Sequence, residues 1–236
     1  MRTNLKICGF LLMASAALGQ QGVTGADIDR TEKTVEWARL YLYKAWTSVM
    51  VSHGYAFKLP SVLNGSRALF QMQRSLCETS IIYQFDNAEY CPADNSITYD
   101  GAFVAALSKR VAAITHSPGQ FVAVVVVAHE NGHALQHQLA IKNPFVFPNE
   151  QNADCFAGAT ARQMLLEGQL QPKDIEEAKA ALTLLADDKE AGSFDKAHGN
   201  ARQRVKAFLD GYTGGPSGCS VEFNSRTTPW RPPLVK

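Results

Sequence analysis

What this 236-residue chain lacks narrows its roles before any motif is considered. It has almost no net charge: 23 lysines and arginines stand against 22 aspartates and glutamates. No basic stripe or acidic block breaks that balance, so neither nucleic acid nor an anionic lipid surface is an expected partner. No CxxC pair occurs anywhere, which argues against a cysteine-ligated zinc module. No internal repeat is found. The chain is 46% hydrophobic, with 10 prolines and 17 glycines, enough apolar material for one sizeable core in a single globular domain.

The first residues, MRTNLKICGFLLMASAALGQ, have a different build. Arg2 and Lys6 precede a short apolar core from Ile7 to Leu18, and Ala17-Leu18-Gly19 supplies a cleavage site before Gln20. Residues 1–19 are therefore expected to be a secretory signal peptide, too short for a stable membrane span, with secretion or periplasmic export as the consequence. Cys8 lies at the start of the apolar core and not after it, which argues against lipoprotein acylation; an uncleaved anchor is the alternative. The expected domain covers 20–224, and 225–236 is a proline-rich, extended or flexible tail. Four cysteines then remain: Cys77, Cys91, Cys155 and Cys219. An even count in an exported chain favours two disulfides, with three possible pairings. Cys77 and Cys91 flank a hairpin-like stretch, so 77–91 with 155–219 is the preferred set.

Several helices are predicted. Asp29 and Glu32 resemble a capping box, followed by helically spaced apolar residues through Val49 to a stop at Gly54. Residues 60–65 read as loop. Between Ser80 and Tyr99, the runs Ile81–Tyr83 and Ser96–Tyr99 favour strands separated by turn residues, which predicts a small antiparallel sheet. Helices are expected over Ala102–Thr115, Glu150–Glu167 with Asn149 as N-cap, Pro172–Leu185, and about Asn200–Leu209. The fold class is α+β and mainly helical.

Within VVVVAHENGHALQ the valines favour a strand, whereas HENGH makes chemical sense only on a helix. Ser117, Pro118 and Gln120 form the N-cap, N1 and N3 of a helix start. The run from Phe121 to about Leu139 exceeds an ordinary strand. A helix apolar on all sides is a buried helix. The valines are therefore assigned to its core.

On that helix His129 and His133 lie about 40° apart and one turn along, so both imidazoles can reach one ion. Glu130, rotated by about 100°, can stand beside the metal as a base for its water. A zinc ion needs a third protein ligand and one open position. Glu150 and Asp154, four apart on the next helix, supply a ligand and an acid that orients a ligand histidine. Each has a plainer alternative: core or surface histidines, a first-turn acid at Glu150, a surface salt bridge at Asp154.

These residues resemble the bacterial putative neutral zinc metallopeptidase family. The matching pieces are Cys77, Tyr90–Asp94 with Ile97–Asp100, HENGHALQ, Ala153–Gly158, and His198–Val205 through Gly211-Tyr212 and Cys219. The resemblance implies a zincin-like fold, its small sheet packed against the active-site helix, with His129, His133 and Glu150 as ligands of one Zn2+ and Glu130 as general base. The family's ELQADC is EQNADC here, Glu150-Gln151-Asn152-Ala153-Asp154-Cys155; the acids survive and the leucine does not. His198 matches the family's HG pair and can donate to the oxyanion of a tetrahedral intermediate, or serve as a turn or capping residue. Ser96–Tyr99, with Thr98 and Tyr99 as substrate-binding residues, is expected as an edge strand aligning a peptide, or else as a core strand. The expected activity is zinc-dependent hydrolysis of a peptide or protein substrate. Alternatives are a zinc amidohydrolase acting on cell-wall peptides and a non-catalytic exported zinc-binding protein. Oligomeric state is not legible.

Overall fold

The computed structural model describes residues 22–52, 54–64, 76–77, 87–141, 143–187 and 198–219. The expected signal segment, the tail and the Ile81–Tyr83 strand lie outside them. Six α-helices and three short strands are formed among the described residues: α1 (Gly25–Ser52), β1 (Ser61–Asn64), β2 (Ala88–Cys91), β3 (Ser96–Tyr99), α2 (Gly101–Thr115), α3 (Phe121–Gln138), α4 (Val146–Leu166), α5 (Pro172–Leu184) and α6 (Ala201–Gly214), followed by a 3-10 turn, Gly215–Cys219. The chain is mainly helical, as expected. None of these helices is long and apolar enough to cross a membrane.

The sheet differs from the expectation of an antiparallel one. Its order is β1-β3-β2. β2 pairs antiparallel with β3, but β1 pairs with β3 in parallel, Ser61 opposite Ser96. The stretch 60–65 was expected as loop, yet four of its residues form β1 because the middle strand offers it a hydrogen-bonding partner that local sequence does not reveal.

α3 is the central beam. Residues Phe121 to Gly132 and Ala134 to Gln136 are all buried, so the valine run is core on every side, packed against α1, α2, α4 and α5. Its start is not the predicted one. Gly119 takes φ +72° and Gln120, not Ser117, is the N-cap residue, with no side-chain cap bond of its own. The carboxylate of Glu177 on α5 instead accepts from Gly119 N at 2.7 Å and Phe121 N at 2.8 Å. A buried acid from another helix thus satisfies the orphan donors and sits at the positive end of α3.

Other boundaries shift by a turn. α1 begins at Gly25, where Thr24 and Asp27 exchange the capping bonds expected of Asp29 and Glu32: Thr24 N donates to Asp27 Oδ2 at 2.9 Å and Asp27 N to Thr24 Oγ1 at 3.3 Å. α4 begins at Val146 rather than Glu150. Pro148 is tolerated there because a first-turn residue needs no N–H. Asn149, the expected cap, lies inside the helix and donates to the carbonyls of Asn143 and Phe145. α6 runs on to Gly214, beyond its expected end at Leu209.

Small residues set how closely the helices approach. A methyl group at Gly132 of α3 would lie 2.8 Å from Ala153 Cα of α4. At the α4–α6 crossing, a methyl at Gly158 would lie 1.8 Å from the Phe208 carbonyl oxygen, and one at Gly211 would lie 1.9 Å from that of Cys155. α4 is therefore held against α3 on one side and α6 on the other at backbone contact. The disulfides are Cys77–Cys91 and Cys155–Cys219, with Cα separations of 5.6 and 5.4 Å. This is the preferred pairing.

Candidate metal centre

The close crossing at Gly132 and Ala153 decides what faces what. His129 and His133 stand one turn apart on α3, and Glu150 and Asp154 one turn apart on α4. One donor atom each from His129, His133 and Glu150 lies within 4.8 Å of the other two. Glu150 Oε2 is 3.2 Å from His129 Nε2 and 3.5 Å from His133 Nε2. An ion bound tetrahedrally at about 2.0–2.1 Å would separate its donors by about 3.3 Å. Two imidazoles and a carboxylate at these spacings fit a zinc-sized cation of that geometry.

Asp154 is wholly buried, and its Oδ1 lies 2.8 Å from His129 Nδ1. That contact puts the ring proton on Nδ1 and turns Nε2 toward Glu150. Behind Asp154 stands Arg204 of α6, itself buried, donating from Nε to Oδ2 and from Nη2 to Oδ1, both at 2.9 Å. Its remaining Nη1 donates to the Leu185 carbonyl at 3.0 Å. Each guanidinium nitrogen thus has an acceptor, two of them in a planar, two-pronged pairing with Asp154.

The electrostatics follow from this crowding. Burial works against a charged His129, but Asp154 and then Glu150 outweigh it and push the ring up to about 10. Burial likewise opposes the charge on Glu150, yet His133, His129 and His198 hold it well below the usual carboxylate range. Asp154 is also burdened by burial and is lowered by Arg204 and His129. The centre is a cluster of anions that demands positive charge, whether carried by protons or by a metal.

Glu130 is on α3 and buried; among the described residues its carboxylate makes no hydrogen bond or ion pair. His198 precedes α6, with Nε2 at 3.6 Å from Glu150 Oε2 and Nδ1 at 3.8 Å from Asp187 Oδ1. It adjoins the donor group without joining it. The backbone fixes it: Gln151 Nε2 donates to the His198 carbonyl at 2.7 Å, and Gly199 N donates to Asp187 Oδ2 at 3.0 Å.

Thr98 and Tyr99 are not at an edge. β3 is the middle strand, paired on both sides, and both residues are buried. Their main-chain groups are committed to β1 and β2, so the expected peptide-aligning role is withdrawn from them. The sequence carries no signal for strand order. Sequence reasoning also assigned no role to Arg204, Gln136, Asn152 or Asp187. The spacing of residue types contains nothing that would have marked Arg204, because its partner is 50 residues away in the chain.

A family model described as "Putative neutral zinc metallopeptidase" matches residues 43–222. Among curated proteins, "Uncharacterized protein YpfJ" of Escherichia coli (strain K12) is 32% identical over 158 residues, covering 56% of this chain and 53% of that protein. "Uncharacterized protein Rv2575" of Mycobacterium tuberculosis is 32% identical over 160 residues, covering 56% and 54%. The chain spans about half the length of these relatives. No solved structure matches it.

Proposed function

The chain belongs to the putative neutral zinc metallopeptidase family, and we propose that it is an exported, zincin-like peptidase that hydrolyses peptide bonds in peptide or protein substrates. One observation carries this reading: two imidazole nitrogens and a carboxylate oxygen converge within 4.8 Å, beside a buried acid, Glu130, in the HENGH turn. His129, His133 and Glu150 would hold a single zinc ion. When bound, that ion supplies Lewis acidity, lowering the pKa of water toward neutrality and polarising the scissile carbonyl.

The chain's own residues do the rest. Glu130 accepts the proton of the attacking water on its carboxylate and delivers it to the leaving amine. Its buried setting strengthens both transfers by limiting competition from solvent. Asp154, backed by Arg204, keeps His129 in the tautomer that leaves Nε2 free. His198, with Asp187 beside its Nδ1, donates a hydrogen bond to the oxyanion that develops on the substrate. Two disulfides support an oxidising compartment and hence export.

The test is a peptide-library digestion with the purified chain, with and without chelator, alongside Glu130→Gln and Glu150→Gln. Wild-type cleavage should be abolished by chelation and restored by zinc. Glu130→Gln should retain the metal and lose at least about 100-fold in turnover, the scale of general acid–base catalysis. Glu150→Gln should lose metal on dialysis. A Glu130→Gln variant as active as wild type would refute the assigned base.

A further inference from the structure

His129 has a charged partner behind it; His133 has a neutral one. His133 Nδ1 lies 3.0 Å from Gln136 Oε1. Gln136 Nε2 donates to the Asn149 carbonyl at 2.6 Å and to Asn152 Oδ1 at 3.0 Å. Asn152 Nδ2 donates in turn to the Cys219 carbonyl at 2.8 Å. Gln136 and Asn152 are both buried, so each amide must find its partners inside the protein.

The direction of this chain is forced from its far end. A backbone carbonyl can only accept, so the Cys219 oxygen must face the NH2 of Asn152. Asn152 then presents Oδ1 to Gln136, whose NH2 must answer it and the Asn149 carbonyl together. Gln136 is left with Oε1 facing His133. An oxygen in that place requires a proton on Nδ1, which leaves the Nε2 lone pair directed toward the Glu150 side. The opposite tautomer would set lone pair against lone pair. Flipping both amides to relieve it would bring Asn152 Oδ1 against the Cys219 oxygen. That reference atom is itself anchored, because Cys219 ends the 3-10 turn and is bonded to Cys155 of α4.

We infer that Gln136 and Asn152 are positioning residues: they transmit the polarity of the Cys219 carbonyl to His133 and hold it in the Nδ1–H tautomer that metal ligation needs. The inference rests on the metal-site reading above. It assigns the second ligand histidine an uncharged amide relay anchored outside the helix pair.

The test combines two readouts on wild type, Gln136→Met and Gln136→Glu, with urea unfolding as a control. Zinc affinity is measured by competition with a chromophoric chelator. The His133 tautomer is measured by 15N NMR of the imidazole in zinc-free protein at alkaline pH, where the ring is neutral. Gln136→Met removes the acceptor. It should weaken zinc binding roughly 10- to 100-fold, the usual scale for such outer partners, and turn a single Nδ1–H tautomer into a mixture. Gln136→Glu keeps an acceptor at His133 but loses the donations to Asn149 and Asn152. It should be less stable than wild type yet bind zinc within about threefold of it, since a charged acceptor makes the stronger bond. Equal affinity and an unchanged tautomer in Gln136→Met would overturn the proposal. So would affinities that merely follow stability across both variants. A wild type that binds no zinc but shows the single tautomer would sink the metal-site reading alone.

Discussion

Arg204 is the side chain whose loss should separate the folding of this centre from its chemistry. It is 3% exposed, and both prongs of its guanidinium meet Asp154, which is 0% exposed. Arg204→Met keeps much of the volume and removes every hydrogen bond, leaving a carboxylate buried beside His129 alone. Breaking a buried pair by removing one partner costs about 3–5 kcal/mol. With an m-value of about 2 kcal/mol/M, the urea midpoint should fall by about 2 M. Unfolding is followed by circular dichroism in excess chelator, so that zinc does not contribute to the difference. Arg204→Met combined with Asp154→Leu should recover at least half of the loss, because the stranded charge is its source. The pH dependence has a definite sign. Asp154 is held below its usual range in the folded wild type. Its contribution is therefore complete above its unfolded value of about 3.9 and is lost as pH falls through the lower, folded value. The gap between wild type and Arg204→Met should be widest near neutrality and shrink below about pH 4. A loss under about 1 kcal/mol at neutral pH, or a double variant no more stable than the single one, would refute the reasoning.

Three further outcomes are expected. Gly132→Ala adds a methyl 2.8 Å from Ala153 Cα and forces α3 from α4, costing about 1–3 kcal/mol against a helix-propensity gain of at most about 1; thermal melts and chelator competition should show lower stability and a larger loss of zinc affinity, and a stabilised variant of unchanged affinity would contradict the close-crossing account. Glu177→Ala strands the amides of Gly119 and Phe121 and should cost about 2–4 kcal/mol, measured by urea unfolding, with slowed amide exchange at α3's first turn in wild type lost in the variant. Cys219→Ser opens a loop with a sequence separation of 64 and should cost about 4 kcal/mol by chain entropy; stability equal to wild type would show that the α4–α6 crossing alone fixes this end.

The parts of the centre that could be read in the sequence are those whose geometry is local. Residues four apart on a helix must share a face, so His129 with His133, and Glu150 with Asp154, were legible as pairs. That these pairs meet depends on Gly132 and Ala153, small residues whose meaning appears only when two helices cross. Arg204 was not legible as a partner because an arginine on an amphipathic helix reads as solvent-facing until a buried acid is brought to it. The cap of α3 failed for the same reason: Ser117 has the right chemistry, but Glu177, distant in sequence, supplies a charged acceptor to the orphan amides. Strand order was out of reach altogether. Four residues at 96–99 carry the same pattern whether they form a middle strand or an edge, and only β1, drawn from a stretch with no strand signal of its own, made them the middle.

The anchoring of Cys219 has a consequence for when a copy of this chain becomes competent. The candidate ligands and base are all translated by residue 150, but the guanidinium at 204 and the carbonyl at 219 emerge later. A nascent or proteolytically clipped molecule ending before Gly215 would possess every reactive group and Arg204, yet lack the Cys219 carbonyl and disulfide that anchor Asn152 and Gln136. On the proposed metal-site reading such a copy should bind zinc more weakly than one that includes Cys219, so the aim of the motif depends on residues far downstream of it.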